Sequence, residues 1–147
     1  MTESEDQLKF VFIARGIPGS GKTTFSKLLY NTYNFLLPNR TDYHAIDDLH
    51  TDENGDFFWD EDKEEQRYAQ LYENFKKSCD TGSWFIIVDA MNLQKQDYNH
   101  YVTYANMMGY RVTTIVPPMP TAEVGAERNK HFVTKEQIEE MITRWEG

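Results

Sequence analysis

Gly16-Ile17-Pro18-Gly19-Ser20-Gly21-Lys22-Thr23 is the stretch that decides the fold. It matches the phosphate-binding pattern G-x-x-x-x-G-K-[ST], and its neighbours supply the context that the pattern requires. Leu8-Lys9-Phe10-Val11-Phe12-Ile13-Ala14 before it reads as a buried strand, and Thr24-Phe25-Ser26-Lys27-Leu28-Leu29-Tyr30 after it reads as the opening of a helix. A strand that ends in a glycine-rich turn and feeds a helix points backbone N–H groups at one spot, where the helix dipole favours an anion. Gly16, Gly19 and Gly21 let the backbone wrap closely around phosphate oxygens, where a Cβ would intrude. Lys22 is placed to bridge the β- and γ-phosphates of a nucleoside triphosphate, and the Thr23 hydroxyl to ligate Mg²⁺. The expected ligand is therefore ATP with Mg²⁺, held by Gly16, Pro18, Gly19, Ser20, Gly21, Lys22, Thr23 and Thr24.

The chain of 147 residues is long enough for one ordinary core, and its 39% hydrophobic content is that of a globular protein. No apolar run reaches the roughly 18 residues of a membrane span. The acidic Met1-Thr2-Glu3-Ser4-Glu5-Asp6-Gln7 reads as a frayed tail, residues 1–7, and not as a signal peptide; residues 8–147 read as the domain. With Cys79 as the single cysteine no internal disulfide can form, and a cytoplasmic setting is expected. The net charge of −9 is concentrated. Residues 47–65 hold ten acidic side chains and one lysine, whereas the remainder balances 14 acidic against 14 basic. That segment either forms a solvated face or attracts a cation or a basic protein partner.

Four strands are expected: residues 8–14, about 43–47, 84–89 and 110–116, the last ended by Pro117-Pro118. Helical patterns fall between them, at about 22–33, 61–79 and 95–108. Such alternation implies a parallel sheet with right-handed crossovers. Thr134-Lys135-Glu136-Gln137 has capping-box form and predicts a final helix to about Trp145. Asn54-Gly55 predicts a tight turn, and a small hairpin, between Leu49 and Trp59.

Ligands of open α/β sheets bind outside the carboxyl ends of the strands, so Asp47 and Asp48, after the second strand, should face the crevice of Lys22. A carboxylate there can accept the proton of an attacking hydroxyl or hold Mg²⁺, and Asp47 is the stronger candidate. Asp89 closes the apolar run Phe85-Ile86-Ile87-Val88, the position of a metal-holding acid beside a phosphate loop. Asn92 either binds substrate or forms a turn. Arg128 either neutralises charge on a transferring phosphoryl group or is a surface arginine.

Gly16–Thr24, Asp47-Asp48, Val88-Asp89-Ala90-Met91-Asn92-Leu93 and Arg128-Asn129, taken in order, resemble the P-loop kinase family of polynucleotide 5′-hydroxyl kinases and related AAA-annotated kinase-like domains. The likeness runs from about Phe10 to Trp145. It implies a four-stranded parallel sheet flanked by helices, with a C-terminal lid segment. It also implies Asp47 as general base, Asp89 and Thr23 at the metal, and Arg128 as a lid arginine on the ATP phosphates. The catalytic set is then Lys22, Asp47 and Arg128. The sequence departs from the family three residues after the base, where an arginine grips the substrate's 3′-phosphate and this chain has His50. The acidic segment also opposes a polyanionic acceptor. Arg40, Lys95, Lys130, His131 and Lys135 are candidates for a cationic groove. Phe57, Phe58 and Trp59 read as hairpin core, with base stacking as the other reading.

The expected activity is transfer of the γ-phosphoryl group of ATP to a hydroxyl, foremost the 5′-hydroxyl of a nucleic acid. A small-molecule acceptor such as a nucleoside, sugar or antibiotic stands second. A nucleotide-dependent binding module that holds a partner through residues 47–65 is the reading from a different class.

Overall fold

The computed structural model describes residues 7–147, so the expected tail lies, apart from Gln7, outside the described residues. Four strands, β1 (Phe10–Ala14), β2 (Thr41–Ala45), β3 (Phe85–Asp89) and β4 (Arg111–Ile115), form one sheet in the order β2-β3-β1-β4. All three pairings are parallel. The helices are α1 (Lys22–Leu36), the single turn α2 (Ile46–Leu49), α3 (Glu64–Asp80), α4 (Lys95–Met107), α5 (Ala122–Arg128) and α6 (Lys135–Thr143), with a 3₁₀ turn at Glu61–Lys63 leading into α3. The chain steps from β1 over β3 to β2 and then reverses. With right-handed crossovers this reversal puts α1 on one face and α3 and α4 on the other. Among the described residues no helix is long and apolar enough to cross a membrane.

The strand alternation sorts the two faces. Val11, Ile13, Ile86 and Val88 point into the main core with Leu71 and Phe75 of α3 and Tyr101 and Ala105 of α4. Phe10, Phe12 and Phe85 point the other way, where Tyr33 of α1 stacks on Phe85 at 4.1 Å between ring centroids. β3 is buried at every position, as its unbroken apolar run predicts. β1 is only half-buried at Phe10 and Phe12, and the edge strand β4 exposes Arg111, Thr113 and Thr114. The register aligns Ala14, Ala45 and Asp89 at one end of the sheet, so the loops after β1, β2 and β3 open on a common crevice.

Local chemistry ends the elements where expected in most places. Thr134 and Gln137 form the predicted capping box at α6. Asn54-Gly55 turns the chain, with Gly55 at φ 84° and one antiparallel bridge between Thr51 and Phe57. Two elements differ from expectation. β2 ends at Ala45, and Asp47 and Asp48 lie on α2 instead of on the strand end. The Thr51 hydroxyl and the His50 amide both donate to the Asp47 carbonyl and hold that turn. Helix α5, hidden among the polar residues after Pro117-Pro118, is capped by the Thr121 hydroxyl accepting from the Val124 amide.

A second, smaller core joins α5 and α6 to the phosphate loop through Ile17, Leu93 and Ile138, with Ala126, Met141 and Trp145 against them. Gly125 of α5 makes this contact close: a Cβ there would lie 2.8 Å from the Pro18 carbonyl oxygen. Gly125→Ala should therefore push α5 off the loop, cost about 1–3 kcal/mol and weaken ATP binding. A thermal melt and a nucleotide titration check this. Unchanged values in both would mean that α5 gives way freely.

Candidate active site

The Gly16–Thr23 stretch curls between β1 and α1. Gly19 and Gly21 sit at φ 81° and 88°, a region that L side chains avoid, and a Cβ on Gly19 would lie 2.5 Å from the Gly125 carbonyl oxygen. The Gly16 amide is tied to the Met91 carbonyl after β3 (3.0 Å), and the Ser20 amide to Ile17. Gly21 caps α1 without a side-chain acceptor, which leaves the first-turn amides free for an anion. The Ser20 hydroxyl is buried without a hydrogen-bond partner among the described residues.

Lys22 reaches across to Asp89, Nζ to Oδ1 at 2.9 Å, and Asp89 is only 2% exposed. The Tyr43 hydroxyl donates to Oδ2 of the same carboxylate. Burial, with the negative charge of Asp89 added, drives the Tyr43 phenol far above its ordinary value, so it stays a proton donor. Both oxygens of a buried carboxylate are thus satisfied, as burial demands. Lys22 is held at the loop by this pair. The oxygen donors Thr23 and Asp89 suit a hard cation such as Mg²⁺. Among the described residues no group of three or more His, Cys, Asp or Glu is disposed around a metal position, so phosphates and water would complete the sphere.

Lys22, Thr23, Asp47, Asp48, Asp89 and Arg128 all line one open cleft of about 1190 Å³. That exceeds the roughly 300–1,000 Å³ of a single small-ligand pocket, so donor and acceptor have room together. Lys22 and Asp89 touch at the loop. Asp47 lines the cleft from α2, where its Oδ2 is 3.2 Å from Nε2 of His131 on the segment after α5. The His131 ring stacks on Phe57 with centroids 3.7 Å apart. Desolvation raises the Asp48 carboxyl, and nearby Lys27 opposes the shift. Arg128 ends α5 exposed at the cleft mouth without an ion-pair partner among the described residues.

Other candidates take structural places. Asn92 sits at φ 49° and donates to the Ala14 and Ala90 carbonyls, so it builds the turn after β3. His50 is 6% exposed and lies flat on Trp59 at 3.9 Å. Burial, and then the Arg67 charge, lower its basicity, so it offers no cation to a phosphate. Trp59 packs on the main core, Phe57 on His131, and Phe58 is 73% exposed, so the aromatic triplet divides instead of forming one hairpin core. Of the five groove candidates only Lys130 and His131 reach the cleft; Arg40 stacks on Trp84 beside the start of β2, and Lys135 pairs with Glu123. Sequence reasoning missed Tyr43, Arg15 and Gly125, for which no local pattern exists, and the pairing of His131 with Asp47, whose residues are 84 positions apart.

A four-stranded parallel sheet, a phosphate loop after β1 and an acid at the end of β3 define a P-loop kinase-like domain. The chain belongs to the AAA domain family AAA_33, which matches residues 11–147. It is 26% identical over 157 residues to YLP motif-containing protein 1 of Rattus norvegicus, covering 95% of this chain and 11% of that protein; the chain thus spans a small part of its curated relative. Three solved structures share the fold. One is the Pnkp1/Rnl/Hen1 RNA repair complex (TM-score 0.71, 20% identity, 94% of this chain and 44% of that one). Another is Chaetomium thermophilum Kti12 in complex with ADP-AlF3 (0.67, 18%, 93% and 80%). The third is a gluconokinase from Sinorhizobium meliloti 1021 (0.64, 15%, 96% and 77%).

Proposed function

We propose that this chain is an ATP- and Mg²⁺-dependent phosphotransferase acting on a hydroxyl. The observation that carries the reading is that Asp47 lines one cleft together with Lys22 and Asp89. In this reading the loop amides and Lys22 hold the β- and γ-phosphates. Thr23 and Asp89 hold Mg²⁺, which would neutralise charge on the bridging phosphate oxygens. Asp47 accepts the acceptor's proton, and Arg128 folds over the transferring group. Catalysis then rests on positioning and charge stabilisation.

The 5′-hydroxyl of a nucleic acid is the acceptor that the family resemblance supplies. One observation favours the small-molecule reading instead. The cleft wall contributed by residues 43–68 carries Asp47, Asp48, Glu61 and Glu64 and no lysine or arginine, and the cleft's cations sit on the loop, on α1 and around the lid. A strand of phosphates laid on that wall would be repelled. The protein is to be incubated with γ-labelled ATP and Mg²⁺ against a 5′-hydroxyl DNA oligonucleotide, its RNA counterpart and free nucleosides. Label on an acceptor supports the kinase and names the class. Nucleotide binding with no transfer to any of them would favour the binding module, with the acidic segment holding a basic partner. Lys22→Ala should reduce transfer by at least about 100-fold; transfer at the native rate would remove Lys22 from the mechanism.

A further inference from the structure

The segment after α5 lines the cleft with an ordered turn. Asn129 organises it. Its Nδ2 donates to the carbonyls of Gly125, Ala126 and Val133 at 2.9–3.0 Å, and its Oδ1 accepts from the amides of His131 and Val133. Phe132 turns through φ 60° at the apex with its ring 94% exposed, so the turn does not form to bury Phe132. The turn seats Val133 on the second core and places His131, whose ring lies on Phe57 and whose Nε2 meets Oδ2 of Asp47. Oδ1 of Asp47 has no hydrogen bond among the described residues, and Asp47 lines the cleft.

We propose that His131 is a positioning residue for Asp47: it holds one carboxylate oxygen so that the other is presented to the acceptor hydroxyl. The inference rests on the reading of Asp47 as general base. A half-exposed aspartate on a single helical turn has free side-chain rotation, and a misplacement of about 1 Å costs up to roughly 100-fold in rate. A ring nitrogen 3.2 Å from Oδ2, on an imidazole stacked on Phe57, narrows that freedom. The proton of the acceptor hydroxyl passes to Asp47, the hydroxyl oxygen forms the bond to the γ-phosphorus, and the bond to the bridging oxygen of ADP breaks. His131 exchanges no proton in this step.

The test measures kcat, acceptor KM and ATP affinity for full-length His131→Ala, His131→Gln, Asp47→Asn and the Asp47→Asn/His131→Ala double variant. The donor is γ-labelled ATP, and the acceptors are a 5′-hydroxyl oligonucleotide and adenosine. His131→Ala should lower kcat by about 10- to 100-fold with ATP affinity unchanged. His131→Gln, which keeps an N–H donor, should recover most of the loss. In the double variant, loss of His131 should cost less than about twofold beyond Asp47→Asn. Native kcat in His131→Ala, no recovery by Gln, or additive losses would overturn the positioning role while leaving Asp47 as base. Asp47→Asn with undiminished transfer, or no label on either acceptor with the native chain, would instead remove the general-base reading and the positioning role with it.

Discussion

Asp47→Asn is expected to lower phosphoryl transfer by roughly 10²- to 10⁴-fold and to leave ATP affinity within about twofold of the native value. The amide keeps the shape of the side chain, and the turn is held by the Asp47 carbonyl, so α2 should fold as before. It cannot take a proton. In the proposed mechanism the nucleotide is held around Lys22 and Asp89, and Asp47 has no part in holding it. The change should therefore appear in kcat while nucleotide binding stays. Single-turnover transfer from γ-labelled ATP, alongside a nucleotide titration, measures both quantities. Full transfer in the Asn variant would exclude Asp47 as base. An equal fall in ATP affinity would make Asp47 part of the nucleotide site instead.

Arg15→Ala should be the most destabilising change away from the cleft, at about 3 kcal/mol. The guanidinium is 4% exposed. It donates to the carbonyls of Asn92, Leu93 and Glu146, and it lies between the rings of Tyr98 and Trp145 at 4.5 and 4.4 Å. Removing it leaves buried acceptors unpaired and the two rings without the cation they enclose. In a domain of this size the loss corresponds to a fall of about 6–12 °C in melting temperature. Because Glu146 and Trp145 follow α6, the C-terminal residues should also lose hydrogen-exchange protection before the sheet does. A melt within about 2 °C of native would show that the carbonyls find water as readily as arginine. Arg15→Lys should not rescue it, since a single ammonium cannot span three carbonyls and stack on two rings.

The two halves of the site were legible to different degrees. Gly16–Thr23 could be read directly because its chemistry is local: eight consecutive residues make the turn, the amides and the lysine. Asp89 was legible for a related reason, since an acid that ends a fully buried strand is itself pinned at the sheet's carboxyl edge. Asp47, expected at the end of β2, lies on α2, because a two-residue shift in the end of β2 is decided by hydrogen bonds from His50 and Thr51, which propensity does not encode. Phe57, Phe58 and Trp59 were read as a unit because they are adjacent. The fold keeps Phe57 and Trp59 in ring contact and turns Phe58 outward.

The sequence by itself determined the parallel α/β sheet, the phosphate loop and the order of the motifs along it. Each of these depends on short-range periodicity or on contiguous residues. Tertiary structure alone decided that Lys22 and Tyr43 share Asp89, that Gly125 abuts the loop, that His50 is shut away on Trp59, and that His131 meets Asp47. Those pairs join residues 9 to 107 positions apart, and no local energy term links them. They come together because the reversal of strand order at β1 and β3 brings the loop, α2 and the lid to one end of the sheet.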